Sequence, residues 1–127
     1  MDKKPSEYLT EFLNFVTDAQ KKHKIYSDEM NTQEKLTQDY LHSIELDNLK
    51  CEERSKIATK LMINRKDRRY YKDRIEEFDP IVQFFEEQQN KKVLDKLKQV
   101  LGQMRRAESY HADRVYIPRV LKEKKDG

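Results

Sequence analysis

One periodicity limits what this chain can become. Leu9, Phe12, Val16, Ala19, His23, Tyr26, Met30, Gln33, Thr37, Tyr40, Ile44, Asp47 and Cys51 alternate in steps of three and four residues. Such a series is the seam of a coiled-coil-like helix. No proline or glycine falls between residues 6 and 50. An unbroken helix over 6–50 would be roughly 65 Å long. Ser6 is the expected cap and Glu7 favours the first turn. The polar run from Ser27 to Thr37 is its weak point, where a kink or break is expected if there is one.

Composition agrees with long, thin packing. Only 35% of residues are apolar and 40% are charged. That suits helices burying one narrow stripe each better than a thick core. The length of 127 residues fits one domain. Regular apolar spacing and twelve Phe and Tyr residues argue against disorder.

Asp47-Asn48-Leu49-Lys50-Cys51-Glu52 reads as a reversal. A second helix over 52–78 carries Ile57, Leu61, Asn64, Arg68, Tyr71, Ile75 and Phe78 on one side. Folded antiparallel, the two seams pair Ile57 with Ile44, Leu61 with Tyr40, Asn64 with Thr37 and Arg68 with Gln33. Continuing, Tyr71 meets Met30, Ile75 meets Tyr26 and Phe78 meets His23. Apolar ends meet apolar ends and the polar middles meet each other, so pattern and topology agree. Asp79-Pro80 reads as a helix boundary, giving a third helix over 80–111, with the polar run near 90 as an interruption. Residues 112–121 read as an extended arm, because Pro118 and β-branched neighbours oppose a helix. The expected fold is all-α: an elongated antiparallel three-helix bundle, four-helix if the run near 90 breaks the third, built on a long hairpin.

Net charge is +3, from 27 cations and 24 anions. The total therefore does not imply nonspecific nucleic-acid binding. No apolar run is long enough to span a bilayer and no signal-peptide pattern opens the sequence, so no membrane is expected. A lone Cys51 points to a reducing, cytoplasmic setting. His23, His42 and His111 are scattered and none pairs with Cys51 at metal-ligand spacing. There is no phosphate loop or dinucleotide fingerprint, so neither a cofactor nor an enzyme is expected.

Two basic, tyrosine-bearing stretches stand out. The first holds Arg65, Arg68, Arg69, Tyr70 and Tyr71; the second holds Arg106, Tyr110, Arg114, Tyr116 and Arg119, with Arg105 and His111 beside them. Guanidinium forks suit phosphate oxygens and phenol rings offer stacking faces. The ordinary alternative is a solvated face neutralised by Asp67, Asp73, Glu76 and Glu77. Arg68 lies in the seam and needs an acid, an exit or an anion; Glu29 and Glu34 are its nearest internal partners.

The strings Arg54-Ser55-Lys56-Ile57-Ala58, Arg65-Lys66-Asp67-Arg68-Arg69-Tyr70-Tyr71-Lys72, Leu101-Gly102-Gln103-Met104-Arg105-Arg106-Ala107-Glu108, Tyr110-His111 and Arg114-Val115-Tyr116-Ile117-Pro118-Arg119 resemble small accessory proteins of phages and prophages of low-GC Gram-positive bacteria. The resemblance implies an intracellular counter-defence or accessory role in the host cytoplasm, without catalysis. The expectation from these strands of argument is a homo-oligomer that sequesters a phosphate-bearing nucleotide between the ten Arg and Tyr residues. The alternative is an inhibitor or adaptor that binds a host defence protein through its hairpin and arm. Nucleic-acid binding stands third.

Overall fold

The computed structural model describes residues 2–115. They form three helices: α1 (Pro5–Leu46), α2 (Cys51–Glu86) and α3 (Gln88–Asp113). None of the helices is long and apolar enough to cross a membrane. The fold is all-α, as expected.

Helix α1 is continuous through the polar stretch. It lies antiparallel on α2, in the register that the two seams require. Asn64 faces Thr37, whose hydroxyl donates to Asn64 Oδ1 at 2.5 Å. The Asn64 amide donates to the Gln33 carbonyl at 2.9 Å and to Gln33 Oε1 at 2.7 Å. Toward the open end, Tyr26 packs on Tyr71 and Phe78, with ring centroids 5.9 and 6.3 Å apart. His23 sits 3.0 Å from Asp79, and Phe12 meets Phe85 edge-on. Val16, Ala19, Val82 and Phe85 form the buried apolar part of the hairpin.

The boundary expected at Asp79-Pro80 is not there. Helix α2 runs through Pro80 to Glu86. Pro80 points to solvent, where its ring and the carbonyl it leaves unpaired cost least. The Asp79 carboxylate is used laterally, accepting from Gln83 Nε2 at 2.7 Å and meeting His23. The break falls at Glu87, which is extended, at the edge of the polar run. Asn90 fixes it there: its side-chain amide donates to the Phe84 carbonyl at 2.8 Å, closing the end of α2. Ser6 is also not the cap of α1. Pro5 takes the first turn and Ser6 lies inside the helix, where its hydroxyl and N–H both donate to Glu108 of α3, at 2.6 and 3.1 Å.

Those bonds define the place of α3. Residues 88 to 108 span about 30 Å of helix, whereas Ser6 and Phe12 are only about 9 Å apart along α1. Helix α3 is therefore inclined across the open end of the hairpin and does not lie flush along it. Its contact face holds Leu94, Leu97, Leu101 and Met104, at helical spacing. Residues 112 and 113, expected in the arm, belong to α3; the rest of the arm beyond Val115 lies outside the described residues.

Each seam residue has a neighbour before it and a neighbour after it, about 100° round on opposite flanks. Leu36 of α1 and Lys60, Ile63 and Asp67 of α2 line one shallow depression, so the preceding residues of both helices share one flank. Glu34 and Arg68 pair on the other. Ser6 and Thr10 lie on that second flank too, with Glu108 and Arg105 against them. Helix α3 thus covers the open end of the second flank, and among the described residues none covers the first.

Candidate functional site

The second flank carries a groove at the end that α3 does not reach. Ile44 of α1 and Ala58, Leu61, Met62, Arg65, Lys66 and Arg69 of α2 line about 680 Å³ of open space. The α2 residues recur at steps of three, one and three, which keeps them on one stripe of the helix. The stripe is polarised along its length. Ala58, Leu61 and Met62, near the hairpin tip, make an apolar floor; Arg65, Lys66 and Arg69 follow in the next turns. Among the described residues no carboxylate lines it and none of the three cations has an ion-pair partner. The groove is therefore apolar at one end, positive at the other, and open along its length.

The sequence singled out ten residues as one site, and the structure separates them. Arg65 and Arg69 line the groove. Arg68 does not: it pairs with Glu34 across the hairpin, one of the two acids expected to neutralise it. Tyr70 and Tyr71 lie toward the first flank in an aromatic cluster. Tyr70 meets Tyr26 and Tyr71 edge-on, with centroids 6.3 and 5.5 Å away, and Arg74 stands 5.1 Å over its ring. Burial raises the hydroxyl pKa of Tyr26 and Tyr71 above the ordinary phenol value, and the neighbouring Glu29 and Asp67 add to the rise at Tyr71. Arg74 in turn pairs with Glu77 at 2.6 Å. These rings are engaged with one another, so they do not offer paired faces to a base.

The second basic group is elsewhere. Arg106, Tyr110 and Arg114 share a shallow depression with Ser109, Asp113 and Val115 at the end of α3. Its neighbour Arg105 donates to Thr10. Thr10 and Ile44 are about 50 Å apart along α1. The two basic groups therefore do not face one groove, contrary to the expectation of one site between the ten residues. Tyr116 and Arg119 lie outside the described residues.

Sequence reasoning missed the apolar half of the groove. Leu61 was read as seam, and Ala58 and Met62 were not singled out. The signal was present in the spacing 58, 61, 62, 65, 66, 69, a second stripe beside the seam. Cys51 is a free, exposed thiol at the start of α2. Among the described residues, no group of three His, Cys, Asp or Glu side chains is arranged to hold a metal.

Comparison with protein-family models, curated proteins and solved structures finds no match to this chain.

Proposed function

We propose that this protein is a non-enzymatic binding protein whose hairpin engages an acidic, amphipathic segment of another protein. The groove at the tip is the observation that carries the reading. Its apolar floor takes the apolar face of a helix or extended segment, and Arg65, Lys66 and Arg69 take carboxylates beyond it. The stripe from Ala58 to Arg69 is about 17 Å long, or three turns of a docked helix. Nucleotide sequestration is the weaker reading. The arginines and tyrosines it needs are divided between two ends of a rod, and an open groove encloses little of a small ligand. Blocking a host defence protein is one accessory role that a surface of this kind would serve.

Retention of host proteins on immobilised wild-type chain and on the Arg65→Glu/Arg69→Glu variant tests the reading. The expected result is a partner held by the wild type and lost from the variant. Equal retention on both removes the groove from the function. Titration calorimetry with cyclic and linear nucleotides is expected to give no heat; a stoichiometric heat abolished by the same variant would replace the protein partner with a nucleotide.

A further inference from the structure

Among the described residues, nothing covers the first flank of the hairpin, opposite α3 and opposite the groove. Tyr8, Phe15 and Ile25 of α1 and Ile63, Tyr70 and Phe84 of α2 each immediately precede a position of the packed seam. All six therefore project on this side, and each leaves 48–59% of its surface exposed. Single exposed apolar residues are ordinary, but six aligned along one side of a rod form a patch.

Charge says what covers it. On this flank α1 carries Asp18, Glu29 and Asp39 against Lys22, while Glu11 is already paired with Lys3, which also stands over the Tyr8 ring. The same flank of α2 carries Lys56, Lys60 and Arg74 against Asp67 and Glu77. The α1 strip is acidic and the α2 strip is net basic, so the complement of each strip is the other strip. We propose that a second copy of this chain covers this flank, with α1 of each copy on α2 of the other and both hairpin tips at the same end.

The two-fold axis then runs along the rod. Each residue meets the opposite strip at its own level, where α1 and α2 numbers sum to about 100, as they do within the hairpin at Thr37 and Asn64. Phe15 meets Phe84, and Leu36 meets Ile63. Asp39 meets Lys60, Glu29 meets Arg74, and Lys22 meets Glu77. Every helix is antiparallel to both neighbours, the dipole arrangement of up-down four-helix bundles. The reversed packing would set the acidic α1 strips against each other. The strip is about 50 Å long and two helices wide, so association covers about 800 Å² of each chain, the size of a standard specific interface. The tip groove stays open on the outer side of each copy, so the dimer stands independently of the partner proposed for that groove.

Two measurements on the full chain test it. In sedimentation equilibrium the wild type is expected to be a dimer. Lys60→Glu should raise its dissociation constant about tenfold, and Lys60→Glu/Asp39→Lys should restore it. A monomer at several hundred micromolar, with native helix content, overturns the proposal. In a Cys51→Ser background, the Phe15→Cys and Phe84→Cys chains should form a disulfide-linked pair when mixed, and neither should do so alone. A dimer that forms no mixed disulfide, or that links like with like, overturns this arrangement.

Discussion

Asn64 gives the sharpest test of how the hairpin is held. Its side chain is 3% exposed and makes three hydrogen bonds across the seam, to Thr37 and to both Gln33 oxygens. Asn64→Ala removes all three. The Thr37 hydroxyl keeps a partner, because it also reaches the Gln33 carbonyl at 2.9 Å. At about 1 kcal/mol net for each lost bond, with that partial rescue, the cost is about 2–3 kcal/mol. For a domain of this size that is a fall of about 10 °C in Tm. Asn64→Leu should behave differently. It replaces the polar contact with apolar burial, so stability should be equal or higher, while the register loses the group that fixes it. Urea denaturation followed by circular dichroism measures the first effect. Amide exchange along α1 measures the second, with protection spread over several registers in Asn64→Leu. An Asn64→Ala chain within 0.5 kcal/mol of wild type would refute the claim that this polar cluster joins the helices.

Three further outcomes follow from the same contacts. Both Ser6 donors hold the Glu108 carboxyl below its ordinary value. A depressed folded pKa stabilises above the unfolded value and is lost as pH falls through the folded one, so docking of α3 should weaken in acid, below about pH 4.5; amide exchange in α3 against pH reports this, and Glu108→Gln should flatten that part of the profile. Pro80→Ala restores a backbone donor inside α2 and removes the ring clash. It should stabilise the hairpin by about 1–3 kcal/mol in urea denaturation, and a loss would mean that Pro80 sets a bend the packing needs. Phe85→Ala removes a buried ring from between α1 and α2 and should cost about 3–4 kcal/mol by the same assay.

The hairpin was legible because coiled-coil pairing is a one-dimensional problem. Two stripes of known period, one reversal and a polar middle at matching depth leave one register, and Asn64 meets Thr37 where the pattern requires. The acid partner of Arg68 followed from the same register. The end of α2 was not legible. Asp79-Pro80 has every local mark of a boundary, but Pro80 faces solvent and the turn after it buries Val82 and Phe85, the latter against Phe12, distant in sequence. Asn90 then closes α2 from beyond Glu87.

The candidate site was half legible for a related reason. Residue type revealed the cations, but the course of α3 decides which of them share a surface. That course is set by Ser6 and Glu108, 102 positions apart. The sequence by itself determined that there are long helices, how the first two pair and where charge collects. Only the tertiary structure decided where α3 lies, and hence which flank is covered, which basic residues line a groove and which are spent inside. Periodicity acts within a few turns, whereas one long-range hydrogen-bonded contact orients a whole helix.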